Sequence, residues 1–303
     1  MKKFAGRTFL FLIGLYVLAL IPETILTLKI KNSVTNKQPW SNILSGNMNN
    51  DLLILGSSRA WVHYSPKIID SVLHSNSYNL GRNGKKMDIS ILCYDQYIKY
   101  NQRPNVVLCD IYYMTMCESD PLDREQFYPF LLYNDIWKNV RVTHKFRIID
   151  RFLPMAKYFG HLKGYKLYTE AINDDYKGYS GKDFEWDGTE LRKIESIPYE
   201  HDSTILTMTE RWLNRCQKDS VKVIFVHSPL YSEATNKIND TAAMWTMYRS
   251  LSVKYNVPIL DYTHDSICFD TTLFYNAQHL NRKGAERFSR ILAKDLDSMG
   301  VIQ

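Results

Sequence analysis

The sequence has few cysteines, five in 303 residues, and their positions exclude two common uses of this residue. They are Cys93, Cys109, Cys117, Cys216 and Cys268. Their odd number and scattered spacing match neither a zinc-ligand pattern nor a disulfide framework, although one disulfide stays possible in an oxidising compartment. Phosphate-binding loops, dinucleotide-binding glycine motifs and the His-Glu-x-x-His zinc motif are also missing. We therefore expect no metal and no cofactor.

Dense blocks of positive charge are missing as well. The net charge is +6, and no run of lysine and arginine is typical of a nucleic-acid-binding arm. Hydrophobic residues make up 45% of the chain and charged residues 23%, which excludes an intrinsically disordered protein. The composition predicts a globular protein with no nucleic-acid partner.

The N-terminal segment indicates export. Lys2, Lys3 and Arg7 precede an apolar run from Phe9 to Ile21, which resumes weakly as far as Leu28. About twenty apolar residues span a bilayer, and no good signal-peptidase site follows Ile21. We expect an uncleaved signal anchor over residues 1–30, with a cleaved signal peptide as the alternative. By the positive-inside tendency, the rest of the chain lies on the periplasmic or extracytoplasmic face.

Strands and helices alternate in the exported part. Strands are predicted at residues 51–55, 77–80, 105–111, 221–226 and 257–260. Helices are predicted from Asp88 to about Tyr100, over 203–216 and 241–255, and after an Asn281 cap. This alternation predicts an α/β domain over residues 31–303, with about five parallel strands and helices on both faces of the sheet. In such sheets, reactive residues follow the carboxyl ends of the strands.

Aromatic residues are abundant, and nearly half of them interrupt this alternation. The chain has 21 Tyr, 13 Phe and 6 Trp, and 18 of these aromatics lie between residues 112 and 199. We expect an insertion or cap at about 112–200, over the strand ends. A structural subdomain with its own aromatic core is an equally good interpretation.

Three blocks at predicted strand ends carry candidate chemistry. Gly56-Ser57-Ser58 follows the first strand and places a hydroxyl at a helix N-terminus. Asn79–Gly84 follows the second strand and contains two glycines, whose backbone N–H groups suit an oxyanion hole. His279 precedes the last helix, where an imidazole would act as a general base. Each block is weak alone.

Together, and in this order, the blocks resemble the SGNH (GDSL-type) hydrolase superfamily. The resemblance implies a three-layer, flavodoxin-like α/β/α fold. It also implies Ser58 as nucleophile, His279 as base, and Gly84 with the Ser58 amide as oxyanion donors. Asn276 takes the position of the family's triad aspartate. The N-terminal anchor and the His-Leu-Asn-x-x-Gly-Ala ending look closest to a membrane-anchored branch similar to DltD-like and alginate-acetylation-type proteins.

Two departures from that family affect the site. An asparagine orients a histidine but does not stabilise the imidazolium by charge, so Asp261, Asp265 or Asp270 is a possible substitute. The family's Gly-x-Asn-Asp block is replaced by Cys109-Asp110-Ile111-Tyr112, which leaves one oxyanion donor unassigned. Asp110 is a candidate substrate contact or a structural cap.

Arg59 and Arg82 adjoin the predicted nucleophile and are candidate contacts for an anionic polymer or acyl group, with surface solvation as the alternative.

The resemblance implies an exported serine O-acyltransferase or acyl esterase acting on a cell-envelope polysaccharide. Its partners would be an acyl-ester donor, a glycan acceptor and a membrane-bound O-acyltransferase. Two alternatives stay open: a catalytically silent glycan-binding or scaffold protein, which the loss of the aspartate favours, and a secreted carboxylesterase or lipase.

Overall fold

The computed structural model describes residues 1–32, 37–118, 121–159, 176–188 and 199–302. The chain divides into two compact units. The first contains Met1–Ser41 with Asp120–Asn173, and the second contains Asn42–Ser119 with Asp174–Gln303. All five cysteines are free thiols.

The helices follow one another along both units. In chain order they are α1 Lys2–Asn32, α2 Asn42–Ser45, α3 Ser58–His63, α4 Pro66–Leu73, α5 Met87–Tyr100, α6 Asn134–Val140, α7 Ile148–Phe152, α8 Ser203–Lys218, α9 Ser232–Thr235, α10 Thr241–Tyr255 and α11 Arg282–Ser298. Short 3₁₀ helices cover Pro121–Phe130, Ala156–Tyr158, Ser266–Phe269 and Thr271–Leu273, and a π-helical turn covers Lys37–Ser41.

The second unit is built on a five-stranded parallel sheet. Its strands are β1 Leu52–Leu55, β2 Ser77–Asn79, β3 Val106–Asp110, β4 Lys222–His227 and β5 Ile259–Asp261, in the spatial order β2-β1-β3-β4-β5. This is the strand order of flavodoxin-like folds. A small antiparallel hairpin follows, formed by β6 Phe274–Asn276 and β7 His279–Leu280. The predicted α/β class with about five parallel strands is confirmed.

Alternate residues of each central strand face opposite layers of helices. Ile54 and Leu108 belong to a buried cluster that also contains Phe288 of α11. On the other face, the Phe225 ring meets the Tyr248 ring of α10 with centroids 5.7 Å apart. Because both faces are covered, the strands are continuous apolar runs, as expected of a buried parallel sheet.

Several sequence expectations shift in detail. Helix α5 begins at Met87 with Lys86 as N-cap, one residue before the predicted start at Asp88, so an interpretation of Asp88 as the helix cap is wrong. Asp88 lies inside the first turn, where a carboxylate still favours the positive end of the helix dipole. Helices α3 and α4 and the β6–β7 hairpin are further elements that the apolar pattern does not reveal.

The edge of β2 is covered by chain from the end of the predicted insertion. The Asn79 N–H donates to the Lys177 carbonyl at 2.9 Å. Tyr176 and Tyr179, on either side of the turn that contains Lys177, pair in an isolated antiparallel β-bridge. A Cβ on Gly178 would lie 2.0 Å from the Asn79 carbonyl oxygen, and the Gly178 φ is +85°, so this position requires glycine.

The first unit contains the long apolar helix. Helix α1 is long and apolar enough to cross a membrane, and none of its most apolar stretch is buried. The described part of the predicted insertion is divided between the units: residues 121–159 group with α1, and residues 112–118, 176–188 and 199–200 group with the sheet. The rest of the insertion, residues 119–120, 160–175 and 189–198, lies outside the described residues.

Candidate active site

The loop after β1 turns sharply into α3. Gly56 has φ +146°, and a Cβ there would lie 2.8 Å from the Ala60 Cβ, so glycine is required. Ser57 is the N-cap of α3, and its buried hydroxyl accepts from the Arg59 N–H at 3.3 Å. Ser58 is the first residue of the helix and is partly exposed. Of the two serines, Ser58 therefore carries the accessible hydroxyl.

Ser58, His279 and Asn276 form a chain of hydrogen bonds. The Ser58 Oγ lies 2.7 Å from the His279 Nε2. The His279 Nδ1 lies 2.9 Å from the Asn276 Oδ1. The Gln278 N–H also donates to the Asn276 Oδ1 at 2.9 Å. Since a backbone N–H only donates, it holds the amide oxygen, not the amide nitrogen, toward the ring. His279 then donates from Nδ1, and its Nε2 lone pair faces Ser58.

The three aspartates considered as substitutes for the triad aspartate accept backbone N–H groups in other loops. Asp265 and Asp270 accept from the Ile267 and Thr272 N–H groups at 2.8 and 3.0 Å as caps of the 3₁₀ helices. Asp261 accepts from the Thr263 N–H at 3.0 Å. Within the ranges that the structure covers, the partner of the His279 Nδ1 is Asn276, so the triad's third member is an amide.

The surroundings of His279 strongly favour its neutral form. Burial, followed by the positive charge of Arg59, lowers the pKa of His279 to about 3. The Tyr275 ring stacks on the imidazole, with centroids 5.3 Å apart and planes 14° from parallel. Neutral imidazole is the form that a general base needs, but the same surroundings oppose the imidazolium that forms when Ser58 gives up its proton.

A buried polar network lies beside the triad. The Arg59 Nε is 3.8 Å from the Asp110 Oδ2, and both side chains are buried. Arg59 also donates to the Ser228 carbonyl and, at 2.8 Å, to the Ser228 Oγ. The Asp110 Oδ1 accepts from the Tyr64 and Ser228 hydroxyls at 2.6 and 2.8 Å. The network links the start of α3 to the ends of β3 and β4.

This placement corrects the expectation that Arg59 and Asp110 contact substrate. Their exposed fractions are 1% and 0%, so neither side chain reaches solvent. Arg59 follows Ser58 by one position, which turns its side chain about 100° around the helix and into the protein. Asp110 has a structural role instead, as the buried partner of Arg59, Tyr64 and Ser228.

His63 connects the network to the hairpin that carries His279. Its Nε2 accepts from the Leu280 N–H at 3.0 Å, and its Nδ1 lies 2.9 Å from the Ser228 Oγ. Burial, followed by the nearby Arg59 charge, lowers the pKa of His63 well below its usual range. A neutral His63 thus fixes the backbone next to His279. Sequence reasoning left His63 and Ser228 unassigned, since only the fold brings them together.

The second block lies against the first. The Arg82 N–H donates to the Gly56 carbonyl at 3.3 Å. Asn79, which is fully buried, donates from Nδ2 to the Ala60 and Tyr64 carbonyls and accepts the Gly81 N–H at 2.8 Å. The Gly81 amide is therefore occupied. Gly84 is exposed and has φ +69°. Its role as a donor to the oxyanion stays a prediction.

Aromatic and basic side chains flank the triad. The Phe184 ring, 59% exposed, meets the Tyr275 ring edge-on with centroids 5.4 Å apart. Trp61 lies one turn after Ser58 on α3, and the Lys182 Nζ and the Arg82 guanidinium carbon lie 4.9 and 5.4 Å from its ring centroid. The Arg82 Nη1 also donates to the Gly81 and Gly178 carbonyls at 2.9 and 3.0 Å. A substrate contact by Arg82 stays a prediction.

Sequence reasoning missed Tyr275 and Phe184 as parts of the site. Tyr275 directly precedes Asn276 in the sequence, and this position was the available signal. Among the residues described, no cluster of three or more potential metal ligands occurs.

Three buried neutral histidines predict acid destabilisation. Burial lowers the pKa of His63, His227 and His279, whereas each titrates near 6.5 when unfolded. As pH falls below about 6.5, these histidines bind protons in the unfolded chain but stay neutral in the folded chain. The free energy of unfolding therefore falls by about 1.4 kcal/mol per pH unit for each histidine. Burial raises the pKa of Asp110, which offsets at most one of these protons.

Urea unfolding in detergent at about pH 7 and about pH 5 measures this loss. His227→Gln should flatten the dependence, and His264→Gln, which removes an exposed histidine, should leave it unchanged. Stability that is flat across this interval would contradict neutral burial.

No family model and no curated protein matches the chain. Two solved structures to which it is similar are esterases or lipases by description. A catalytic mutant of an acetylxylan esterase from Geobacillus stearothermophilus has a TM-score of 0.41 at 10% identity, covering 84% of this chain and 97% of that chain. A GDSL-like lipase from Bacteroides thetaiotaomicron has a TM-score of 0.40 at 10% identity, covering 86% and 98%. Both similarities are low, so the function rests on the geometry of the site.

Proposed function

We propose that the protein is a membrane-anchored serine acyl-transfer enzyme, an O-acyltransferase or acyl esterase, that acts on an exported or cell-envelope polysaccharide. The observation that carries the proposal is the chain from the Ser58 Oγ through His279 to the Asn276 Oδ1, with distances of 2.7 and 2.9 Å. A nucleophile bonded to a base, which is bonded to an orienting group, is the arrangement of nucleophilic acyl transfer.

In the first half-reaction, Ser58 attacks the carbonyl carbon of an acyl ester while its proton passes to the His279 Nε2. The negative charge on the carbonyl oxygen faces the Ser58 N–H at the start of α3, and Gly84 would supply a second donor. The carbon–oxygen bond to the leaving alcohol then breaks, and His279 returns the proton to that alcohol. Ser58 is left as an acyl ester.

In the second half-reaction, His279 takes a proton from the acceptor hydroxyl, which attacks the acyl carbon and releases Ser58. His279 then protonates the Ser58 Oγ. A sugar hydroxyl as acceptor gives transfer, and water gives hydrolysis. The exposed Phe184 ring and the adjacent Tyr275 ring support a sugar acceptor, because flat rings present apolar surface to the carbon face of a sugar and the Tyr275 hydroxyl adds a polar tip.

Helix α1 supports the envelope as the place of action. A chain anchored beside the membrane would meet an acyl donor delivered by a membrane-bound O-acyltransferase and a glycan acceptor on the exported face. Arg82 and Lys182, which lie over Trp61, support an acceptor or acyl chain that carries negative charge.

Product partition tests the proposal. We expect the purified full chain to cleave an acetyl-ester reporter and, when an oligosaccharide is added, to divert acetyl groups from water to sugar. Mass spectrometry of the sugar and titration of released acetate measure the two products. Acetate alone at saturating oligosaccharide would restrict the function to hydrolysis. Sugar acetylation that persists in Ser58→Ala would overturn the mechanism.

The site also favours a second candidate, a catalytically silent glycan-binding or scaffold protein. The observation behind it is the low pKa of His279, about 3, with an amide as the third member of the triad. Glycan binding that is equal in the wild type and Ser58→Ala, with no turnover of any ester by either, would support this candidate.

A further inference from the structure

A group of large apolar side chains lies exposed in the first unit, far along the chain from α1. They are Ile148, Ile149, Phe152, Leu153 and Phe159. Phe152 is 54% exposed and Phe159 is 87% exposed. Five large apolar residues within twelve positions make a patch that a water-facing surface rarely carries.

The segment that carries these residues, 147–159, is bonded to the second half of α1. The Tyr16 hydroxyl donates to the Phe152 carbonyl at 2.9 Å, and the Thr27 and Tyr158 hydroxyls lie 2.8 Å apart. Between them, the Glu23 carboxylate pairs with the Lys157 Nζ at 2.5 Å. The Met155 N–H also donates to the Glu23 Oε2 at 2.5 Å.

These contacts fix the depth of the segment when α1 spans a bilayer. With Lys2 and Lys3 at the inner surface, about twenty residues of helix carry the apolar core to Ile21 or Pro22. Tyr16 then lies about 8 Å inside the outer boundary. Because the Phe152 carbonyl is bonded to Tyr16, this part of the segment lies at the same depth.

The charges of the segment suit a lipid headgroup region. Asp150 is buried between Arg147, at 2.9 Å, and Arg124, at 3.6 Å, so its charge is paired. Arg147 and Lys145 remain exposed, next to the apolar side chains. A short segment with apolar residues and flanking basic residues is typical of chains that lie in the membrane interface and attract anionic lipid.

We propose that residues 147–159 are a second membrane contact, inserted into the outer interface of the bilayer beside α1, with lipid acyl chains against Ile148, Ile149, Phe152 and Leu153 and lipid headgroups against Phe159. The Glu23–Lys157 pair closes the junction between the segment and the helix. The segment makes the anchor a two-part element that restricts tilting of α1 in the membrane. This proposal does not depend on the catalytic activity of the second unit.

Depth-dependent fluorescence quenching of the full chain tests the proposal. Phe152→Cys and Ile148→Cys are introduced one at a time and labelled with a nitrobenzoxadiazole dye. The protein is reconstituted in vesicles of phosphatidylcholine and phosphatidylglycerol. Phe11→Cys, on the exposed apolar face of α1, is the lipid control, and Val253→Cys, 84% exposed on α10, is the aqueous control. Labelled wild type measures the background from the native cysteines.

We expect nitroxide-labelled lipid to quench the dye at positions 152, 148 and 11, while aqueous iodide quenches it only at position 253. Quenching of 152 and 148 by iodide would place the segment in water and overturn the proposal. Protection from both quenchers would show that protein covers the segment, which would also overturn it. Two labelled sites keep the test decisive when one variant fails to fold.

Discussion

Ser58→Ala and His279→Ala should each lower kcat for an acetyl-ester reporter by about 10⁴-fold or more, and the double variant should lose no more than either single variant. In the proposed mechanism Ser58 and His279 act as one unit, joined by the 2.7 Å contact between Oγ and Nε2. Without the base, the hydroxyl keeps its proton; without the hydroxyl, the base has nothing to activate. The two losses therefore do not add.

Steady-state kinetics of the four proteins measures this result. Ser57→Ala is the matched control, because Ser57 neighbours Ser58 but serves as the cap of α3. We expect this variant to lose about 1 kcal/mol in its free energy of unfolding and to keep most of its kcat. Losses that multiply in the double variant would show that the two residues act independently. A Ser58→Ala variant as active as the wild type would move the nucleophile elsewhere.

Asn276→Asp should raise kcat by roughly 10- to 1000-fold, since a carboxylate at this position stabilises the imidazolium by charge. The Asn276 Oδ1 already accepts from His279 at 2.9 Å and from the Gln278 N–H, so a carboxylate oxygen fits the same place. The pKa of His279, lowered to about 3 by burial and Arg59, should rise.

The sign of this change is visible in the pH profile. Burial and Arg59 lower the pKa of the wild-type His279 to about 3, so this base stays neutral over the pH range in which the protein stays folded, and the acid limb of the wild type should reflect unfolding. In Asn276→Asp, His279 becomes protonated at a higher pH, and the acid limb of kcat/KM should move upward. Asn276→Ala, which removes the orienting bond, is the control and should lower kcat without that shift. A lower kcat in Asn276→Asp, with the acid limb unmoved, would show that charge at this position does not assist the reaction.

The sheet was within reach of the sequence because buried parallel strands are continuous apolar runs. The pairing of Ser58 with His279 rested on the family resemblance as well as on their expected place at the carboxyl edge of the sheet. Asn276 was also predicted at the triad position. Its orientation was not, since it depends on the Gln278 N–H, a backbone group that no residue pattern reports.

The inward direction of Arg59 was beyond sequence reasoning. Whether a residue one position after the nucleophile faces solvent or the protein depends on how α3 lies on the sheet. The grouping of residues 121–159 with α1 has a similar cause: the bonds from Tyr16, Glu23 and Thr27 join positions more than a hundred residues apart and leave no periodic signal.

The cover over β2 has a consequence for the behaviour of the chain at high protein concentration. An exposed edge of a parallel sheet offers free N–H and C=O groups on which another chain can add a strand. Here the Lys177 carbonyl already occupies the Asn79 N–H, and Gly178 approaches the strand too closely for any side chain. The turn at 176–179 thus prevents another chain from pairing with this edge of the sheet. The turn depends on Gly178, which has no Cβ.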